Sequence, residues 1–430
     1  MSRSTGIGRA WLHTLTSTGV VTALTFSASI LAARLLGPEG RGHIAAAILI
    51  ATVSSGIAQC GLAHSIVYHW GLQHRLNFIK LTALSATLVV ATTIPLSAFA
   101  ALKFYSPEIE FSTPLIIIIS LATGLFSFGS TTAQINPDLR TFNASRIIIP
   151  LATSCFLGTI YTTQKNLGYE SLLIFQSAAT AIAAAYCLTA TAIHIRNAKH
   201  LPTPGHSGLR DIFNYAWKYQ GTALLGLILL NIDKIFLLSK GNAKDFGLYT
   251  LAFTTTRVIA SVQDSASLSI FSRFAGKQDG ELSEAVKKSF RLSFLPMLMA
   301  TTLISLAAPL FIPRIFGPDF NGMITPFIIL SFEAVIGAGS WTLAQRFNAG
   351  GRPGLVLLRQ GFVTIPLLAT LPALPTQDMP IYLAALLLCA AILRLALTIA
   401  LYPLALGEKL PKFLPSLSEI NSMAKNIKFK

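Results

Sequence analysis

The stretch WLHTLTSTGVVTALTFSASILAARLL (11–36) runs for about 25 residues with one charge, Arg34, and stops at GPEGRG (37–42). As a helix it is ~38 Å long, enough to cross the ~30 Å hydrocarbon core of a bilayer with some tilt. Arg3 and Arg9 precede it, as basic residues precede a secretory signal. The apolar run is longer than a signal core, however, and ends in a Gly-Pro turn without a clear cleavage site. It reads as a first membrane span.

The rest of the chain repeats the pattern. Further apolar stretches lie near 43–68, 78–102, 113–134, 145–163, 170–195, 214–238, 247–270, 290–315, 323–346, 354–374 and 380–404. The breaks carry turn chemistry: Ser106-Pro107, Asn136-Pro137, Gly317-Pro318-Asp319 and Gly350-Gly351-Arg352-Pro353. The 430 residues are 53% hydrophobic and 12% charged, against about 25% charged in a soluble domain. These features predict an all-α polytopic membrane protein with twelve spans. The basic, Pro- and Gly-rich segment around 200–212 separates a six-helix lobe (1–199) from a second (213–406), and a basic tail (407–430) follows.

The charges orient the chain. With the N-terminus in the cytoplasm, 23 of the 33 Lys and Arg fall on cytoplasmic segments and 8 on the other face. The positive-inside rule then requires an even number of spans, with both ends in the cytoplasm. Six spans per half makes the halves parallel, not inverted. A faint repeat agrees: Leu35-Leu36 before the first Gly-containing turn corresponds to Leu237-Leu238 before Gly247-Leu248-Tyr249. The net charge of +16 is thus a topology signal. It forms no aromatic-studded groove, and no nucleic-acid partner is expected.

Arg257 and Arg394 fall well inside spans, where an ionised group costs several kcal/mol and marks a functional hypothesis. Arg257 lies roughly 15 Å into the eighth span, and Asp264 follows two turns later on the same face. Glu333 sits near the middle of the tenth span and Asp233 near the outer end of the seventh, beside Lys234. These carboxylates are candidates for ion coupling. Arg34 and Arg346, at span ends, are candidates for an entrance. Arg359 and Lys218 are expected to snorkel to the interface, so that loss of Arg359 should be mild. Arg257 with Asp264, Glu333, and Asp233 with Lys234 have a bland alternative as internal charge pairs between helices, and Arg34 and Arg346 as contacts to lipid headgroups.

Catalytic signatures are missing: there is no phosphate-binding P-loop, HExxH, GxSxG or Cys/His metal spacing, and no long loop to hold a catalytic domain. No enzyme activity, cofactor or metal is expected. Cys60, Cys155, Cys187 and Cys389 all lie in apolar segments.

The turns carry a resemblance. Ala33 to Gly42 (ARLLGPEGRG), Asn231 to Leu238 (NIDKIFLL) with Gly247 to Ala252 (GLYTLA), Ile315 to Phe320 (IFGPDF), and Gln345 to Pro353 resemble segments of polysaccharide and oligosaccharide flippases. These belong to the multidrug, oligosaccharidyl-lipid and polysaccharide exporter superfamily. His43 after Gly42 departs from the family's usual aromatic, and twelve spans disfavour the longer peptidoglycan-precursor flippases. The resemblance implies two lobes around a central cavity that opens alternately to each face. It also implies transport of a lipid-linked oligosaccharide on a polyprenyl pyrophosphate for O-antigen or exopolysaccharide assembly, with membrane lipids and glycan polymerase or assembly proteins as partners. A cavity built from Arg257, Arg394, Arg34 and Arg346 suits a pyrophosphate in sign. The alternative is a cation-coupled multidrug antiporter of the same superfamily, which would favour carboxylates.

Overall fold

The computed structural model describes residues 3–71, 77–104, 112–136, 139–164, 166–198, 209–274, 279–350 and 352–414. Among these residues the regular structure is entirely helical: α1 (Arg3–Ala58), α2 (Leu62–Gly71), α3 (Phe78–Lys103), α4 (Thr113–Thr132), α5 (Arg140–Thr162) and α6 (Tyr169–Asn197), then α7 (Leu209–Lys240), α8 (Ala243–Phe274), α9 (Asp279–Phe316), α10 (Ile324–Ala349), α11 (Pro353–Thr370) and α12 (Met379–Leu406). Short 3-10 turns follow α4 and α11 and precede α10. This is a multi-pass, all-α membrane protein.

Ten of the described helices are long and apolar enough to cross a bilayer. One of them, Thr16–Ala58, has 43 residues, about twice the thickness of a bilayer core. It divides at Gly37, whose φ of 66° and ψ of −178° leave helical space, with Pro38 opening the second segment. The first span therefore ends where the sequence places it. The second does not run unbroken over 43–68: it stops at Ala58 and resumes at Leu62 as α2, after a turn with positive φ at Cys60 and Gly61. With α1 counted on both sides of Gly37 and α2 completing the second span, the apolar helices among the described residues make eleven spans; α8, long enough at 32 residues but less apolar, is read as the twelfth.

The chain forms two compact units, Met1–Gly247 and Leu248–Lys430. The division falls inside α8 and not at the 200–212 segment, because α7 packs on α1 and α2. In the first unit, Leu62, Ile66, Phe78, Leu81, Phe128, Ile195 and Ile212 share one core. In the second, Phe290 and Phe294 of α9, Val335 and Phe347 of α10, and Tyr402 of α12 share another. Large apolar side chains such as Leu303, Leu306 and Leu310 on α9 point outward, as hydrocarbon solvent permits.

Two glycines of the family-like turns meet in the first unit. A Cβ on Gly42 would lie 1.8 Å from the Ala243 carbonyl oxygen, and one on Gly247 would lie 2.0 Å from the Pro38 carbonyl oxygen. The segment after the Gly37 kink and the start of α8 thus touch backbone to backbone, which only glycine allows. Gly42→Ala and Gly247→Ala are each expected to cost about 2 kcal/mol or more through forced separation of these segments. Thermal unfolding of purified protein in detergent measures this, with the double variant falling furthest. Wild-type melting of both would show that the two segments separate freely.

A candidate anion site in the second unit

Two helices of the second unit place arginines against one carboxylate of a third. Ala260 on α8 and Ala334 and Ala338 on α10 are buried against one another, and such small residues let two backbones approach. That approach brings Arg257 of α8 to Glu333 of α10, with Nη2 2.5 Å from Oε2. Arg394 of α12 approaches the other oxygen, Nη2 to Oε1 at 3.8 Å. The Arg257 guanidinium also lies over the Phe253 ring one turn earlier, 4.2 Å from its centroid. The Glu333 side chain is 5% exposed, whereas Arg257 and Arg394 keep 38% and 27% of theirs exposed. The carboxylate is committed inward while both cations present a free edge.

Arg359 of α11 overturns the expectation that it snorkels. It is 2% exposed, and its Nη1 donates to the Ser340 carbonyl oxygen (3.2 Å), Ser340 Oγ (3.0 Å) and Thr398 Oγ1 (2.8 Å). Thr398 in turn donates to the Arg394 carbonyl at 2.5 Å. Depth along the span was the wrong measure, because α10 and α12 close over the side chain sideways. Among the described residues the group then holds three arginines and one glutamate, an excess of positive charge.

The other sequence candidates lie elsewhere. Arg346 is buried at the end of α10, with Nε 2.9 Å from Glu408 Oε1. Lys287 of α9 reaches Glu408 Oε2 at 2.8 Å, and Ser283 also donates to that carboxylate. Tyr402 Oη donates to the Leu343 carbonyl at 3.0 Å, closing a clamp of α9, α10 and the end of α12. Burial pushes the Glu408 carboxyl up, but the hydrogen bonds from Lys287, Ser283 and Arg346 outweigh it and hold the group below its ordinary range. Sequence reasoning passed over Glu408. The available signal was an acid just past a helix C-terminus, where the dipole disfavours it unless cations compensate.

In the first unit, Arg34 Nη1 donates to Tyr161 Oη at 3.4 Å, and Asp233 is buried beside Lys234 Nζ at 3.4 Å. The Asp264 side chain lies outside the described residues. The structure therefore brings together Arg257, Glu333 and Arg394, adds Arg359, and sets Arg346 in a separate cluster. Among the described residues no group of His, Cys, Asp and Glu has the arrangement of a metal site.

A family model described as "Polysaccharide biosynthesis protein" matches residues 30–325. The chain belongs to that family. The resemblance read in its turns stands, since three of the four quoted segments fall inside the match. Solved structures share the fold. A lipid II flippase MurJ in an inward closed conformation aligns at 12% identity with a TM-score of 0.70, over 90% of this chain and 86% of that one. An inward-facing multidrug resistance MATE family transporter of the MOP superfamily aligns at 13% identity and TM-score 0.60, over 90% and 97%. A MOP superfamily transporter from Pyrococcus furiosus aligns at 13% identity and TM-score 0.51, over 92% and 93%. No curated sequence matches the chain.

In this family member, Arg359→Ala is expected to lower stability by about 3 kcal/mol, since Ser340 and Thr398 lose their shared donor and a cavity opens. Thermal melting checks it, and an unchanged melt would restore the snorkelling view. A second outcome concerns pH. A depressed Glu408 carboxyl stabilises fully above its unfolded value of about 4.3. That contribution is lost as pH falls through its lower folded value. Melting between pH 6 and pH 3 should therefore show a steep acid loss in the wild type, and a lower but flatter profile in Glu408→Gln.

Proposed function

We propose that this chain is a flippase that carries a lipid-linked oligosaccharide, on a polyprenyl pyrophosphate, across the bacterial cytoplasmic membrane by alternating access. The observation that carries this reading is the charge imbalance among the described side chains of the site: Arg257, Arg394 and Arg359 are gathered at one carboxylate, Glu333. A pyrophosphate supplies the missing negative charge, and guanidinium groups match its oxygens in pairs. Family membership supports a role in polysaccharide assembly, and the fold supports a transporter, not an enzyme.

Glu333 has a defined part in this scheme. In the empty state it holds Arg257 and Arg394 in place, so neither bare cation faces the membrane interior. The incoming pyrophosphate competes for the exposed edges of the same two guanidiniums. Arg359, with no exposed edge, positions Arg394 through Thr398. Protonation of Glu333 would release both cations to the substrate, which gives a route for proton coupling. The runner-up, a cation-coupled drug antiporter, has support in the MATE-like fold. It is disfavoured because Glu333, the carboxylate at the centre of the described cluster, already faces two arginines.

Complementation of a host lacking its own glycan flippase tests the reading. Arg257→Ala and Arg394→Ala are each expected to reduce surface glycan at least tenfold at unchanged membrane abundance, a loss of about 1.4 kcal/mol or more. Glu333→Gln is expected to remove any dependence of transport on the proton gradient. Full export by both alanine variants would sink the arginine assignment. Export of organic cations, with no glycan export by the wild type, would favour the antiporter.

A further inference from the structure

The first unit carries a set of rings that the charge argument does not use. His64 and Tyr68 lie one turn apart on α2, and Tyr215 and Tyr219 one turn apart on α7. Each α2 ring faces an α7 ring. Tyr68 stacks on Tyr215 with centroids 4.4 Å apart and planes within 9°, and His64 stacks on Tyr219 at 4.0 Å and 22°. The two α7 rings are themselves within 13° of parallel, with centroids 6.4 Å apart. His69 meets Tyr68 and Tyr215 edge-on. The four rings form one flat block, two deep and two wide.

The block is pinned from behind. Ser65 Oγ donates to the Ile212 carbonyl at 2.8 Å, and Gln220 Nε2 donates to the carbonyls of Gly56 (3.0 Å) and Ile57 (3.1 Å). The first bond fixes α2 against α7 and the others fix α7 against the end of α1, so the rings hold their positions without a ligand. The rings are nevertheless not buried: Tyr68 is 46% exposed, and His64, Tyr215 and Tyr219 are partly exposed.

The flank of α7 on which they lie distinguishes them from a lipid-facing belt. Ile212, Ala216 and Gln220 form the buried side of the helix. Phe213 and Trp217, the latter 80% exposed, project to one side of it and suit hydrocarbon. Tyr215 and Tyr219 project to the opposite side, which they share with Asp211 and Lys218. Tyrosines of an interfacial belt anchor singly among lipid headgroups. Here four rings from two helices are stacked, parallel and rigidly held on a polar flank.

A flat aromatic face beside polar groups is the surface that sugar rings bind. The C–H bonds of a pyranose carry partial positive charge and meet the negative face of an aromatic ring, while its hydroxyls stay in polar surroundings. We propose that the His64–Tyr68–Tyr215–Tyr219 block is a sugar-stacking site that takes a pyranose ring of the transported glycan. The proposal rests on the flippase reading for its ligand, but not on the arginine cluster for its geometry.

Two matched triple variants test it. Tyr68→Phe with Tyr215→Phe and Tyr219→Phe keeps the faces. Tyr68→Leu with Tyr215→Leu and Tyr219→Leu keeps apolar bulk and removes them. The full chain, reconstituted in phosphatidylethanolamine–phosphatidylglycerol vesicles, is probed by saturation-transfer NMR with methyl β-glucoside and methyl N-acetyl-β-glucosaminide. Transfer to the sugar C–H resonances is expected in the wild type and the Phe variant, and at least fivefold less in the Leu variant. Surface glycan in the complemented host should fall at least tenfold for the Leu variant at equal membrane abundance, and less than threefold for the Phe variant. Equal transfer in all three proteins, or undiminished export by the Leu variant, would overturn the site and leave the rings as helix packing. Ring-dependent sugar binding by a wild-type protein that exports no glycan would uphold the site and sink the flippase reading instead.

Discussion

One carboxylate, Glu333, holds two arginines from two other helices, and the arrangement of the second unit follows from that interaction. In water such a pair contributes little. Within a bilayer neither the guanidinium nor the carboxylate can fall back on bulk solvent, so helices that leave them unpaired are strongly disfavoured. The pairing sets α8, α10 and α12 at fixed relative depth. It is possible only because alanines at 260, 334 and 338 let the backbones close. Arg359 then ties α11 to the same group through Ser340 and Thr398, so four helices share one polar network.

The two units hold themselves together by different means. The second uses charge at two levels: the Glu333 group within the membrane and the Glu408 clamp beyond the end of α12, with the aromatic core of α9, α10 and α12 alongside. The first uses neutral pins and close backbones. Ser154 Oγ donates to the Leu24 carbonyl at 2.9 Å, Gln59 Nε2 to the Gly124 carbonyl at 2.8 Å, and Gln220 to the end of α1. Side chain–backbone bonds of this kind satisfy donors without burying charge, and small residues such as Gly42 take the place of large interdigitating ones.

Much of this was legible in the chain because bilayer physics is written in composition. The apolar lengths, the Gly-Pro turns and the loop charges specified twelve spans, and the two midspan arginines were conspicuous by depth alone. What depth does not record is lateral position. Arg359 is six residues into α11 and looked able to reach the interface, yet α10 and α12 cover it. Arg346 at a helix end looked like an entrance and is tied to Glu408 instead. The partners of both, Ser340, Thr398 and Glu408, are distant in sequence and carried no periodic signal. The break of the second span at 59–61 was also hidden, since Cys60 is an unusual residue for positive φ and Gly61 alone does not distinguish a turn from close packing.

The network also constrains how a transport cycle can work. A cationic cluster with no internal anion would be costly when empty and would hold a pyrophosphate too firmly to release it. A cluster fully neutralised by carboxylates would have no reason to bind an anion. Glu333 places the site between these limits: it satisfies part of the positive charge and leaves the exposed edges of Arg257 and Arg394 available. On the proposed function, substrate binding would be an exchange of one anionic partner for another, with a smaller net change in free energy than binding to bare arginines. Moderate affinity would suit a carrier that must surrender its cargo on the far side, and on the proposed function a buried glutamate between two partly exposed arginines would provide it.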